Sequence, residues 1–281
     1  MFARAPASSA NLGPGFDTLA VALEFYVEVA VEVGDELNVK TSGEGAGRFD
    51  DERHPAVALA SSILGHRRFS ITVSSSIPLS RGLGSSAALA VATAAAAGSK
   101  SPMAEGARID GHAENAAAST LGGLVVATQR GEQVVARSLP LDPAWSFVVV
   151  VPEQELSTAA AREVLPERVT LRDAVANLNA LGLLIAGLGD HRAFDSRAME
   201  DHLHQPYRSG LLPFADELLE RLRDSGAAGA CWSGAGSAML ALVDGDLAVT
   251  VADGARDYLF NRGVPAAVHI TRADRTGLVT R

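Results

Sequence analysis

The stretch Pro78-Leu79-Ser80-Arg81-Gly82-Leu83-Gly84-Ser85-Ser86-Ala87-Ala88 decides how the rest of the chain is read. Gly82 and Gly84 permit a tight turn whose backbone N–H groups face inward. The alanine-rich run that follows, residues 85–97, is strongly helix-forming. Its first turn would carry unpaired N–H donors and the positive end of the helix dipole. Turn and helix start together make a cradle for an anion, with Ser85 and Ser86 adding hydroxyls where a phosphate or its metal ion would lie. A serine cap behind a glycine turn also occurs in many proteins that bind nothing, so the spacing alone leaves both readings open. It is not a Walker A loop, because no Gly-x-x-x-x-Gly-Lys followed by Ser or Thr occurs.

Outward from the loop, residues 69–75 form a β-branched strand and 56–64 a candidate helix, so strand, glycine turn and helix are consecutive. Residues 19–33 alternate loosely, with Glu24, Glu28 and Glu32 among valines and aromatics, as a strand with one wet face does. Residues 44–51 read as a loop; Gly43, Gly45 and Gly47 hint at a nucleotide turn, but no strand and helix flank them in the required way. After the loop, helices are expected at 103–108 and 113–121, and strands at 124–128, 134–139 and 146–151. Pro140 and Pro143 suggest a boundary, giving lobes of 1–143 and 144–281. In the second lobe, helices are expected at 159–165, 171–188, 214–224 and 247–261, and strands at 227–232, 237–243 and 266–271. This is an α+β pattern without the regular alternation of a doubly wound parallel sheet.

Composition narrows the function. With 47% hydrophobic and 20% charged residues among 281, the chain can bury a sizeable core. A net charge of -9 argues against a nucleic-acid partner, since no surplus of Lys and Arg exists to neutralise a phosphate backbone. Cys231 is the only cysteine, which forbids an intrachain disulfide and suits a reducing cytoplasm. It reads as a core thiol. Residues 82–99 are free of charge but rich in Ala, Ser and Gly, and so suit a buried helix rather than a membrane span.

The loop fits Pro-x-x-x-Gly-Leu-Gly-Ser-Ser-Ala at every fixed position and resembles the second motif of the GHMP kinases. Ala5-Pro6-Ala7-Ser8-Ser9-Ala10-Asn11-Leu12-Gly13-Pro14-Gly15-Phe16-Asp17 and Ser233-Gly234-Ala235-Gly236-Ser237-Ala238 resemble the first and third, in the right order. The third, read alone, is equally a plain turn between strands. Asn11 to Asp17 is similar to the homoserine kinase branch in particular. So are Gly111-His112-Ala113-Glu114-Asn115 with Gly122-Gly123, Ser157-Thr158 with Arg162, and Asp201-His202-Leu203-His204-Gln205-Pro206-Tyr207-Arg208.

The resemblance implies a two-lobed fold: an N-terminal lobe like domain 2 of ribosomal protein S5 and a C-terminal ferredoxin-like α/β sandwich. It implies ATP-dependent phosphorylation of the side-chain hydroxyl of L-homoserine on the way to threonine, with Mg2+, by a cytoplasmic homodimer. By the same resemblance, Pro78, Arg81, Gly82, Leu83, Gly84, Ser85, Ser86, Ala87, Gly234 and Gly236 would surround ATP, and Ser86 and Glu105 would hold the metal. Arg162 and Arg208 would meet the substrate carboxylate, Asp17 the ammonium and Asn11 the hydroxyl region, with Thr158, His112 and Asn115 close by. The chemistry suits these types, since a zwitterionic alcohol needs guanidinium donors, an acceptor carboxylate and a polar group at its hydroxyl. Asn11, Asn115 and Arg162 are the expected catalytic set. With Asn115 where other branches have Asp, the hydroxyl would lose its proton late.

Four features depart from the family's pattern: Ala113-Glu114 stands in place of the commoner Pro-Asp between His112 and Asn115, and three others concern spacing and the nucleotide. The interval from Ser86 to Glu105 is short, Glu105 lies one residue nearer His112 than usual, and His54 stands where an Asn near the adenine is common. The alternatives are another GHMP kinase acting on a related amino acid or alcohol, and a non-catalytic protein that keeps the fold.

Overall fold

The computed structural model describes residues 1–48, 50–131 and 133–281; Phe49, within the 44–51 segment, lies outside them. The chain begins with β1 (Phe2–Asn11) and the long β2 (Gly15–Val33), antiparallel partners along nearly their whole length. β3 (Asn38–Gly43), α1 (Pro55–Leu64) and β4 (Phe69–Ser75) form a crossover that sets β3 parallel to β4. α2 (Ser85–Ala96), α3 (Pro102–Asp110) and α4 (Ala113–Leu121) follow, then the hairpin of β5 (Leu124–Arg130) and β6 (Gln133–Leu139). The first half of β2 pairs with β5 and its second half with β4, so one bent strand knits the first sheet.

β1 and β3 were not predicted as strands. β1 is mostly Ala, Pro and Ser, with no alternation to read, because it is buried on both sides. α2 is sheathed by the sheet and its neighbouring helices, and from Ala87 to Ala96 all but Leu89 are buried, which is why this charge-free run is built of alanine.

The second sheet contains β7 (Trp145–Pro152), β8 (Gly229–Trp232), β9 (Met239–Asp244) and β10 (Ala266–Thr271) in the order β10-β7-β9-β8, all antiparallel. The continuous apolar run of β7 has a simple cause. Phe147, Val149 and Val151 belong to the core shared with the first lobe, whereas Val148 and Val150 pack with α8 (Ala215–Asp224) and α9 (Ala248–Arg262). Cys231 lies in the shared core, where burial pushes its thiol up to about 12. Between β7 and β8 the chain runs through α5 (Thr158–Glu163), α6 (Leu171–Gly189) and the short α7 (Gln205–Arg208). The last strand, β11 (Val279–Thr280), returns to the first sheet and pairs with β1.

Candidate active site

The three glycine motifs converge where the lobes meet, tied by backbone bonds. Ser8 N donates to Leu83 O, Gly234 N to Ala10 O and Ala238 N to Arg81 O. Ser233 Oγ donates to Gly82 O at 2.7 Å and lies 2.8 Å from Ser9 Oγ. Gly82 and Gly84 both have positive φ, and both are pressed against a neighbour. A Cβ on Gly82 would fall 2.0 Å from Ser233 O, and one on Gly84 2.1 Å from Ser8 Oγ. Gly84 caps α2 without any side-chain hydrogen bond, which leaves the first N–H groups of the helix unpaired beside Ser85 and Ser86. That helix start carries about half a positive charge.

Two cavities meet at this helix start and share Ser80, Ser85 and Ser86. The first, about 180 Å3, is polar and lined by Asn11, Asp17, His112, Asn115, Thr158, Arg162 and Arg208, together with Arg81, Gly82, Leu83, Gly84 and Gly234. The second, about 290 Å3, is apolar, walled by Val27, Leu59, Val73, Leu79 and Leu89. His54 lines it too: its Nδ1 accepts from Ala56 N at 3.1 Å, and burial holds the ring neutral by lowering its pKa, leaving the proton on Nε2. Glu44, Gly45 and Arg48 also line this cavity, although the glycine cluster there was discounted as a nucleotide turn. The flanking strand is β3, whose pattern was missed.

The polar cleft is built from the motifs upward. Asn11, at φ 73, donates from Nδ2 to Gly234 O (2.9 Å) and accepts from Asp17 N (3.0 Å), so its amide braces the turn that carries Phe16 and Asp17. Arg162 Nη2 donates to Asp17 Oδ1 at 2.7 Å at the half-open mouth. Arg208 is almost wholly buried; its Nε donates to Ala161 O, and its Nη1 to Gly234 O and to His204 Nδ1. His204 gives its Nε2 proton to Gly13 O, and burial keeps it neutral, as acceptance from Arg208 requires. Desolvation, with Arg162 nearby, lowers Arg208 to about 10, and its Nη2 bonds to no protein group among the described residues. Phe16 stacks on His204 and lies 5.6 Å from both guanidinium carbons. Asp201 caps α7 by accepting from the N–H groups of Leu203, His204 and Gln205, which explains the acidic start of that motif.

Several expected residues act at one remove. Arg81 borders the cleft but spends its donors on Leu79, Pro152 and Glu153 carbonyls. Pro78, Ala87 and Gly236 line neither cavity. Glu105 is not brought to the site: it pairs with Arg108 at 2.9 Å and borders neither cavity. Asp110, at the end of the same helix, lines the polar cleft instead, and its Oδ2 is buried without a hydrogen-bond partner, 3.3 Å from His112 Nδ1. Asp110 raises the pKa of His112. Glu114, noted in the sequence only as half of the Ala-Glu pair that replaces Pro-Asp and given no role there, is 3% exposed and faces the cleft, and burial raises its pKa to about 7. Ser8, whose Oγ donates to Asn115 Oδ1 at 2.8 Å, lay unnoticed inside the first motif.

An anion cradle at a helix start, set between an apolar cavity and a polar one lined by both arginines and carboxylates, is the apparatus of a small-molecule phosphotransferase. Residues 54–127 match the GHMP kinases N terminal domain family and 171–260 the GHMP kinases C terminal family. A homoserine kinase of Carboxydothermus hydrogenoformans is 36% identical over 290 residues, covering 98% of this chain and 94% of its own length. One from Cutibacterium acnes is 39% identical over 270 residues, covering 89% and 91%. The crystal structure of homoserine kinase from Cytophaga hutchinsonii superposes with a TM-score of 0.85 at 26% identity, covering 99% of this chain and 96% of that one. The chain belongs to the homoserine kinase family of the GHMP kinases.

Proposed function

We propose that this enzyme transfers the γ-phosphoryl group of ATP to the side-chain hydroxyl of L-homoserine, a step towards threonine. The observation that carries the reading is the junction of the two cavities at the α2 start: one is apolar enough for a nucleobase, and the other is equipped for a zwitterion. The unpaired N–H groups of α2 receive the phosphates, and Ser85 and Ser86 supply hydroxyls beside them. His54 Nε2–H offers the nucleobase a donor from within the apolar cavity.

Arg208 is the deep carboxylate anchor, with Nη2 directed to the acceptor, and Arg162 closes from the mouth while holding Asp17 on the ammonium side. Asn115 and Thr158 border the hydroxyl, His112 stands over the pair, and Asn11 keeps their platform in register. Transfer then depends on alignment of the hydroxyl with the phosphorus and on charge neutralisation, with no strong base needed.

Ser86 and Asp110 are the residues that would hold Mg2+, in place of Glu105. A buried carboxylate oxygen whose polar neighbour is His112 Nδ1 at 3.3 Å, lining the same cleft as the Ser86 hydroxyl, fits a hard divalent ion that takes oxygen ligands. Bound there, the ion would neutralise charge on the transferring group.

The homodimer has a candidate seat on α6, where Leu171, Val175, Leu178 and Leu183 are exposed on a helix whose other face is buried. α6 has the length and apolar character of a membrane span, with mean hydropathy 1.3, but a subunit contact accounts equally for its apolar outer face. The cytoplasm is the compartment that supplies ATP and keeps Cys231 reduced.

A coupled ADP-release assay against homoserine, threonine, serine and mevalonate, with and without Mg2+, tests the reading. Homoserine should be turned over most efficiently and only with the metal. Preference for an acceptor without the amino acid head group, or no turnover of any, would sink it.

A further inference from the structure

Once internal pairs are removed, two ionisable groups around the acceptor cleft are left without a mate. Arg81 is spent on carbonyls, and Asp17 has one oxygen committed to Arg162 at the half-open mouth. Asp110 stands beside His112. What remains uncommitted deep in the cleft is a cation, the Nη2 end of Arg208, and an acid, the carboxyl of Glu114. Glu114 sits in the first turn of α4, 3% exposed; its carboxyl accepts from its own backbone N–H, and among the described residues no other donor is bonded to it. A carboxyl so deeply buried with only its own N–H for a partner is costly, unless something that enters the cleft completes it.

Resting on the homoserine reading above, we propose that Glu114 is the buried counter-ion of the acceptor's ammonium group, and so makes the site select an amino acid over the corresponding hydroxy acid. Arg208 and Glu114 then form a complementary pair for carboxylate and ammonium, and Asp17 with Arg162 closes over them from the mouth. In the empty cleft the acid form of Glu114 is favoured chiefly by burial, with Asp17 and Asp110 adding to it and His112 opposing it. Arg162 and Arg208 are the remaining charged groups that face the cleft from α5 and α7.

An ammonium group stabilises the carboxylate, so acceptor binding expels a proton from Glu114 when the pH is at or below about 7. The sign follows directly: because the pKa of the empty site is raised and the ligand lowers it, acceptor affinity falls as the pH is taken down through about 7.

The test compares wild type with Glu114→Gln, which keeps shape and removes charge, and Glu114→Asp, which keeps charge. Homoserine and 4-hydroxybutanoate, its analogue without the amino group, are the probes, with homoserine kinetics and calorimetric binding of both measured from pH 5.5 to 8.5. Losing a charge-assisted contact in Glu114→Gln should raise KM for homoserine about 10- to 100-fold, with KM for ATP unchanged. The affinity for 4-hydroxybutanoate should hold or improve, so selectivity collapses. The acidic fall in homoserine affinity and the proton release, read in buffers of different ionisation enthalpy, should both vanish in Glu114→Gln and persist in Glu114→Asp.

Two results would overturn the proposal. In an active Glu114→Gln enzyme, an unchanged selectivity or a persisting acidic limb would assign that limb to His112. A loss of kcat at unchanged homoserine KM would place Glu114 at the hydroxyl instead. Failure of the homoserine reading itself would appear separately, as absence of homoserine turnover in wild type.

Discussion

Replacing Gly84 by alanine tests the claim that close backbone approach, rather than any side chain, makes the phosphate cradle. Gly84 has φ 62, a region that costs an L residue about 1–2 kcal/mol. The added methyl would fall 2.1 Å from Ser8 Oγ, 3.1 Å from Asn115 Oδ1 and 3.3 Å from Ser8 Cβ. Ser8 is fully buried on β1, so it can only swing its hydroxyl away, which forfeits the 2.8 Å bond to Asn115 at a cost of about 1 kcal/mol. An off-rotamer side chain adds about 0.5–1.5 kcal/mol. The expected loss is therefore about 2.5–4.5 kcal/mol, read by urea unfolding. Turnover should fall more than tenfold, since Asn115 loses its brace and the α2 start is displaced. In the double variant Ser8→Ala/Gly84→Ala the shortest clash is gone, so a coupling of about 1–2 kcal/mol should appear in the cycle. If Gly84→Ala loses under about 1 kcal/mol and keeps its turnover, the close approach is not what builds the cradle.

Arg208→Lys retains charge but cannot hold Ala161 O, His204 and Gly234 O at once, so kcat/KM for homoserine should fall about 100-fold with KM for ATP unchanged, measured by steady-state kinetics. Asp110→Asn should weaken Mn2+ binding, read by electron paramagnetic resonance in the presence of a non-hydrolysable ATP analogue, whereas Glu105→Gln should leave it as in wild type. The reverse pattern would return the metal to Glu105. Leu178→Glu, on the exposed face of α6, should shift sedimentation towards the monomer without altering the thermal transition by more than a few degrees; an unchanged sedimentation coefficient would move the interface elsewhere.

Much of the fold could be read because its signals are local. The β-branched strand at Phe69–Ser75, the alanine run of α2 and the continuous apolar β7 each carry their period or propensity in their own residues. β1 escaped because a strand buried on both faces and made of small residues has no alternation, and β11 because two residues carry no pattern. The helix start at Gly84 could likewise be recognised, because a glycine with positive φ before an alanine helix is a backbone signature. Its dependence on Ser8, 76 positions earlier, could not, since that contact exists only after β1 and the loop are packed. The same holds for His204, whose task is to hold Arg208 while stacked on Phe16 from the first motif.

The carboxylate proposed for the metal marks where spacing ceases to inform. Glu105 and Asp110 both lie on α3, five residues apart, which at about 100° per residue separates them by about 140° around the helix. They cannot face the same side. Gly106 and Ala107 are buried, and a Cβ on Gly106 would fall 2.5 Å from Val91 and 3.6 Å from Ala87 O, so this part of α3 lies flat against α2. That orientation sends Glu105 out to Arg108 and leaves the last residue, Asp110, where the helix runs out beside the α2 start. A spacing argument counts residues back from His112 and finds a glutamate. Rotation about the helix axis, set by a glycine that lets two helices touch, determines which carboxylate lines the polar cleft. Such a rotation is a property of packing between α2 and α3, so a shortened connection between these helices can hand the role from one acid to another while every glycine motif remains unchanged.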